Sequence, residues 1–456
     1  MIQYNKFDNV IDTEDNFKSE VNSKCHTSRA FLINDYHNMR WLVLFFAFLF
    51  IYFICANCTH TAKKVTENTD DNIREINIFA NLSNTRKVNL SEIASSIEYC
   101  VLELDKKCLV TPDMSFYGSN EYIVTINEAA HIGISPVCYV FERRTGKFVR
   151  QISSMGRGPD EYLNVISSFW DGEKEQICVL GGNGMFIFYN LDGTLSHQTK
   201  RFENTFGFVA FGDFYASHLT NILGNNTIII AFYDKTGALI DSIPNNRFWK
   251  RAHTRSAWSR DGWLYTFDNN LYFKELYCDT LYQIKDFELH PRYLFNTGGL
   301  AVPYEIQEGG RYFSLEISRP VVVNRYEKYV NIMKILESNR YLYFTVDYRK
   351  QLYPAIYDKI EEKFQIMLPV SYPLPPPTDK RIPLCGFEND LDGGLPFWPH
   401  QMISEKEMMS VYAAEELLEL DVSKITDEKL KNVLNSINEE SNPVVAIVTL
   451  KDYPLK

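Results

Sequence analysis

Two glycine-containing stretches gather the side chains best suited to hold a ligand. Gly156-Arg157-Gly158-Pro159-Asp160-Glu161-Tyr162 puts a guanidinium and two carboxylates on one short loop. Such a loop can grip an anionic or hydroxylated ligand at a pocket rim through Arg157, Gly158 and Glu161. It lacks the Lys-Ser/Thr of a P-loop and the spacing of a dinucleotide fingerprint. Its plainer role is a connecting turn that uses Gly and Pro backbone geometry. In the second stretch, Glu388, Asp390 and Asp392 crowd beside Gly393-Gly394. Several oxygens on a sharp loop suit weak Ca2+ binding, which makes Asp390 and Asp392 ligand candidates. The twelfth position counted from Asp390 is Gln401, so no EF-hand loop is completed, and a solvated turn is the simpler reading.

Nothing else in the linear sequence nominates a catalyst. The nine histidines form neither an HExxH nor an HxH pair, and no G-x-S-x-G elbow marks a nucleophilic serine. No metal ligand set and no cofactor beyond weakly held calcium follows. Nine cysteines are present. Cys55 and Cys58 read CxxC but end an apolar run. Cys138 and Cys178 sit in strand-like runs as small hydrophobes. Cys100 and Cys108 are close enough in sequence to close a local loop, although this is the less favoured reading. Trp249, Trp258 and Trp398 could stack on a sugar face, with core packing as the default.

The formal net charge is −11, from 47 basic and 58 acidic residues. Lys63-Lys64, Lys106-Lys107 and Arg143-Arg144 are isolated pairs. Nothing would neutralise a row of phosphates, so nucleic acid is excluded as a partner.

The elements that must position these residues are strands. From Ser91 onward, short aromatic and β-branched runs alternate with turns. Tyr122–Ile126, Val137–Phe141 and Phe148–Ile152 make one group around Gly146. Gln176–Leu180, Met185–Tyr189 and Thr194-Leu195 repeat it around Gly193, and Ile228–Tyr233 with Leu239-Ile240 repeat it around Gly237. These glycines are 47 and 44 residues apart, the period of a four-stranded propeller blade. A fourth blade uses Trp263–Phe267, Leu271–Phe273, Thr280–Ile284 and Arg292–Phe295. A fifth uses Asn331–Leu336, Tyr341–Val346 and Pro354–Tyr357. The sixth uses Gly386-Phe387 and Met408–Tyr412, is broken by a helix over Ala413–Leu420, and ends with Val444–Leu450. Pairing Ile97–Leu104 with that last strand would close the ring and remove its exposed edges. The fold expected is an all-β, six-bladed propeller of four-stranded blades.

Before it, Trp41–Cys55 is an unbroken apolar run of fifteen residues. As a helix it covers roughly 22 Å, short of the ~30 Å of a bilayer core and ample for a signal-peptide h-region. Met39-Arg40 supplies a minimal basic start, so residues 1–38 read as an upstream extension. Cys55-Ala56-Asn57-Cys58 resembles a bacterial lipobox with Cys58 as the lipidated residue; an uncleaved anchor is the alternative. The expected organisation is extension (1–38), signal peptide or membrane anchor (39–58), flexible tether (59–90) and propeller (91–456). On either reading the propeller sits outside the cytoplasm, in the periplasm or at the cell surface.

Four motifs in order carry a resemblance. Gly156–Tyr162 resembles a G-x-G-P-G-E-Y/F signature, with Asp160 where Gly is usual. Asp279-Thr280-Leu281-Tyr282 with Pro291-Arg292-Tyr293 resembles DTxY…PRY. Asn389–Phe397 resembles NDxDGGxPF, and Asn442-Pro443-Val444 resembles a terminal NPV strand. Together they are similar to the six-bladed β-propeller lipoproteins of Bacteroides-type bacteria, over roughly residues 90–451. The resemblance implies the fold and an envelope location, whereas the family's activity is largely unassigned. The function expected is a non-enzymatic binding or scaffolding module for a glycan, peptide or envelope partner. The alternative is a metal-dependent propeller hydrolase or lactonase, whose carboxylates would converge on the channel from several blades. A purely structural envelope subunit is a third reading.

Overall fold

The computed structural model describes residues 73–127, 137–152, 156, 158, 161–162, 165–181, 184–200, 205, 208–221, 224–248, 262–303, 328–371, 385–425 and 427–452. The described residues belong to one compact unit, Asp71–Lys456. The extension, anchor and lipidation calls therefore lie outside the described residues. Among those described, no helix is long and apolar enough to cross a membrane.

Three strands come first: β1 (Arg74–Asn77), β2 (Thr85–Arg86) and β3 (Ala94–Val101). Blade 1 follows with β4 (Ser115–Gly118), β5 (Tyr122–Ile126), β6 (Cys138–Glu142) and β7 (Phe148–Gln151). Blade 2 has β8 (Val165–Asp171), β9 (Gln176–Gly181), β10 (Met185–Asn190) and β11 (Leu195–Lys200). Blade 3 has β12 (Val209–Phe211), β13 (Phe214–His218), β14 (Ile228–Asp234) and β15 (Leu239–Pro244). Blade 4 comprises β16 (Gly262–Phe267), β17 (Asn270–Glu275), β18 (Thr280–Lys285) and β19 (Glu288–Asn296). Blade 5 comprises β20 (Asn331–Glu337), β21 (Tyr341–Tyr348), β22 (Gln351–Asp358) and β23 (Lys363–Met367), with β24 (Val370–Ser371) also on β22. Blade 6 contains β25 (Gln401–Ser404), β26 (Glu407–Tyr412) and β27 (Val444–Leu450). Helices α1 (Ala414–Leu418) and α2 (Glu428–Ser436) lie between the last two. Each blade is an antiparallel meander, and β3 completes blade 6 by pairing with β27.

Burial explains why the middle strands read as unbroken apolar runs. Every residue of β9 is buried, as are the four central residues of β10, because each blade is sandwiched between two others and hides both faces. Six hydrophobic clusters fill the six interfaces. They run from Val124, Ile177 and Tyr189 between blades 1 and 2 round to Phe116, Met409 and Val445 between blades 6 and 1. The expected turn glycines Gly146, Gly193 and Gly237 all have positive φ, at 69°, 88° and 90°, as tight hairpins require.

The structure corrects three boundaries. Residues 73–90, read as part of a flexible tether, belong to the propeller. There β1 adds a parallel fifth strand to β19 of blade 4, and β2 adds one to β23 of blade 5. This strap escaped notice because Ile76, Ile78, Val88 and Leu90 are buried yet too few and too scattered to show a period. The closing strand is Ala94–Val101, three residues earlier than the expected Ile97–Leu104. Gly386-Phe387 lies outside the sheet of blade 6; Phe387 instead bridges Phe397 within a connection.

Candidate functional site

A propeller's ligands meet either the axis or the loops around its mouth. Here the axis is surrounded by the innermost strands β4, β8, β12, β16, β20 and β25. Their sequences are SFYG, VISSFWD, VAF, GWLYTF, NIMKILE and QMIS. Serines, aromatics, amides and aliphatics dominate, with three charged residues. Asp171 folds back to accept hydrogen bonds from Glu173 N and Lys174 N, both at 3.2 Å. Glu337 accepts two parallel bonds of 2.8 Å from Arg292, one of 2.6 Å from Lys359 and one of 2.9 Å from the Tyr265 hydroxyl. Lys334 donates to the carbonyl of His400 at 2.8 Å. Further polar contacts staple neighbouring inner strands: the Tyr117 hydroxyl reaches Ser168, and Gln401 accepts from Gly118 N. His400 is buried, and its imidazole pKa is lowered to about 3 by that burial and by Lys334.

The two ends of the channel differ. In an antiparallel blade the first and third turns fall at one end, and the second turn and the link to the next blade fall at the other. At the first end the connections are two to five residues, such as 268–269 and 143–147. At the other end the links 297–330 and 372–400 run to 34 and 29 residues, and 413–443, which carries α1 and α2, to 31. Long connections on a rigid frame are where binding residues concentrate.

A buried group of ionisable side chains sits at this long-connection end, where blade 3 meets blade 4. Lys274 is 1% exposed, and its ammonium donates to the Glu275 carbonyl at 2.5 Å. Burial pulls its pKa down to about 8, against the opposing pull of Cys278 and Asp279. The Glu275 carboxylate is buried and ion-paired with Arg247. His218 packs on Phe273 at 5.2 Å, and burial lowers its pKa to about 3. Asp279 accepts from the Thr297 hydroxyl at 2.9 Å, and burial raises its carboxyl. Beside Arg247, Phe248 is 55% exposed. The group can fix a polar ligand and stack a ring or hydrophobic face; its inner members are shielded from water.

The residues nominated from sequence fall on two separate connections. Gly158 and Glu161 share one turn between blades 1 and 2. Gly158 N donates to the Glu161 carboxylate at 2.6 Å, and Glu161 N returns a bond to the Gly158 carbonyl at 3.2 Å. That carboxylate lies where a Cβ on Gly156 would stand, so glycine there admits the capping acid. Arg157 lies outside the described residues. Between blades 5 and 6, Asp390 serves the strap and Asp392 closes its own turn. Asp390 accepts from Ser91 N at 2.9 Å and from the Ser91 hydroxyl at 2.5 Å. Burial opposes ionisation of Asp390, but the Ser91 bonds outweigh it and lower its pKa. Asp392 accepts from Gly394 N at 2.8 Å, and its pKa is raised, burial being the largest cause. Glu388 pairs with Lys87 at 2.5 Å. The carboxylates of this stretch thus each hold a different protein partner. Among the described residues no group of three His, Cys, Asp or Glu is placed to hold a metal. Trp398 stacks on Phe387 and packs against the core of blades 5 and 6, whereas Trp249 and Trp258 lie outside the described residues. Cys100 and Cys108 are free, buried thiols, and burial lifts the former's pKa to about 12.

The family motifs have structural work to do. Arg292 of PRY bridges to Glu337 across the interface of blades 4 and 5. Asp279 of DTLY ties its strand to Thr297, and Asn442 of NPV donates to the carbonyls of Glu103 and Cys108. The blade 3–4 group escaped sequence reasoning because its members come from five elements. The one local hint is Lys274-Glu275 ending an otherwise apolar strand.

A family model described as "Domain of unknown function (DUF4934)" matches residues 73–449. No curated protein matches the chain. A solved structure of a "putative exported protein" from Bacteroides fragilis is similar over 83% of this chain and 100% of its own, with 20% identity and a TM-score of 0.60. A member of the duf4221 family from Bacteroides vulgatus is also similar. It covers 78% of this chain and 97% of its own, with 10% identity and a TM-score of 0.46.

Proposed function

The chain belongs to the DUF4934 family, and from that membership and the architecture above we propose an envelope-anchored, non-enzymatic binding propeller. It holds a glycan, a peptide or an envelope partner at the long-connection mouth of its channel. Residues 39–58 anchor it, with Cys58 as the lipidated residue, and the propeller lies outside the cytoplasm. One observation carries the reading: the six inner strands hold only two carboxylates, Asp171 and Glu337, and both are already engaged. Such a wall suits recognition of neutral hydroxyl and amide groups, where a hydrolytic centre needs acids that converge and remain available. Gly158 and Glu161 belong to a connection at the same mouth, and in this proposal they and Arg157 form part of its rim.

The test is a binding screen of the full chain in detergent against polysaccharide fragments and short peptides, with and without added divalent metal. A saturable ligand that is recovered intact, and that is lost on Asn331→Leu at the mouth, supports the proposal. Metal-dependent turnover of any ligand would replace it with the hydrolase reading. Separately, labelling with a radioactive fatty acid should disappear in Cys58→Ser; persistent labelling would remove Cys58 as the anchor.

A further inference from the structure

A cavity of about 400 Å³ opens between blades 5 and 6, at the end opposite the proposed mouth. It is framed by two short turns, Ser338–Arg340 and Glu405-Lys406, by Ile93 of the strap, and by Leu450–Asp452 where the last strand ends. Its volume falls within the range of small-molecule sites. Ile93, Tyr341 and Leu450 are almost fully buried and give it an apolar floor. The Arg340 guanidinium lies over the Tyr341 ring at 5.3 Å and spends its charge on Asp358 at 2.6 Å. Lys406 is likewise neutralised by Asp452 at 2.6 Å. Two further charges of opposite sign stand on the rim, Glu405 within electrostatic reach of Lys406 and Lys451 within that of Asp390. Glu405 and Lys451 have no ion-pair partner among the described residues, and the Asn339 amide has no hydrogen bond to any of them.

We propose that this cavity binds a compact zwitterion: a small molecule with one ammonium and one carboxylate or phosphate on a short apolar body. Glu405 receives the ammonium, Lys451 the anion and Asn339 a carbonyl or hydroxyl, while the body rests on Tyr341 and Ile93. An ion of single sign would meet one attractive and one repulsive rim charge, so the pair selects for both charges together. Each exposed charge contributes little alone. Recognition therefore depends on both charges and on contact with the floor. Free amino acids or dipeptides and zwitterionic lipid headgroups share this chemistry.

The test uses glycyl-leucine as probe and the full chain in mild detergent, with binding followed by saturation-transfer NMR on the ligand. Saturable transfer is expected, weakened about threefold in Glu405→Gln and in Lys451→Gln and about ninefold when both are combined. Melting temperature is the control for folding, since both side chains are on the surface. N-acetyl-leucine amide, which lacks both charges, should give no saturable signal. Its binding as well as the dipeptide, or no effect of either substitution, would overturn the proposal, as would absence of any saturable signal. Dihexanoyl phosphatidylethanolamine then separates the sources. If it displaces the dipeptide, a headgroup is the natural occupant; if no lipid displaces it, the occupant is a free zwitterion. Displacement by the phosphatidylglycerol analogue alone would mark a simple anion site and sink the idea.

Discussion

At the scale of single residues, the buried ionisable groups make the protein's stability depend on pH in a direction that can be worked out. His218 and His400 have folded pKa values of about 3, well below the ~6.5 of an unfolded chain. Between those values the unfolded state binds the extra protons, so stability is lost as pH falls from 6.5 toward 3. Each histidine contributes a slope of roughly 1.4 kcal/mol per pH unit. Urea midpoints at pH 6.5, 5.75 and 5.0 should fall steadily, and less steeply in His400→Gln; equal slopes would show that His400 is not held neutral. Lys274 works in the same sense at the other end of the scale. Its folded pKa of about 8 lies below its unfolded value, so the folded state is relieved of a buried charge as pH rises above 8. Lys274→Met should remove that gain between pH 8 and 9.5. Glu337 makes a different kind of prediction. Its carboxylate is fully buried and serves two cations that are largely buried themselves, Arg292 and Lys359. Glu337→Ala leaves both uncompensated and should cost about 3 kcal/mol, measured as a drop in denaturation midpoint, whereas Glu337→Gln keeps part of the bonding and should cost less.

At the scale of elements, the strap is the feature that departs from four strands per blade. It runs along the outer edges of blades 4 and 5 before supplying β3, and every stage is fastened by side chains. Arg74 pairs with Glu362 and Arg86 with Glu92 and Gln365, while Ser91 binds Asp390. The apolar residues do most of the holding: Ile78 is fully buried, and Ile78→Ala should cost about 2–4 kcal/mol and expose the strap to limited proteolysis before the blades. Gly146 sits at the opposite side of the closing blade. With φ at 69°, a Cβ there would fall 1.8 Å from the Val101 carbonyl oxygen. Gly146→Ala must therefore push β3 away from blade 1, with cleavage near residue 101 as the readout; an unchanged digestion pattern would contradict the close approach. These elements also mark the limits of sequence reading. Blades 1 to 3 were legible because β9, β10 and β14 are largely apolar runs and Gly146, Gly193 and Gly237 punctuate them. The strap was hidden because strands of four and two residues carry no period of their own; they are strands only because an edge is waiting for them. Asp390 and Asp392 stood out as acids near glycines, but nothing local reveals that Ser91 and Gly394 claim their oxygens.

At the scale of the whole molecule, the scarcity of acids on the inner strands and the unequal ends of the propeller came from no motif, since they depend on which strand of each blade lies innermost. The ring is closed by pairing its first full strand with its last: Ala94 lies opposite Leu450 and Val101 opposite Val444. Arg74 waits for Tyr293 and Thr85 for Ile366. A chain that emerges amino terminus first thus presents three strands whose partners have not yet been made or delivered. Contacts so distant along the chain are slow to form, and until β27 arrives blade 6 has an unsatisfied edge. A chain ended at Ser441, lacking β27, should fail to fold as a unit and accumulate as aggregate instead of a smaller propeller; recovery of a soluble, protease-resistant five-bladed species would disprove this. The same arrangement ties completion to quality. Because the closing strand comes early in the propeller and its partner late, only a chain that carries both can close the ring, and one cut short of β27 is left open to proteases at the strap.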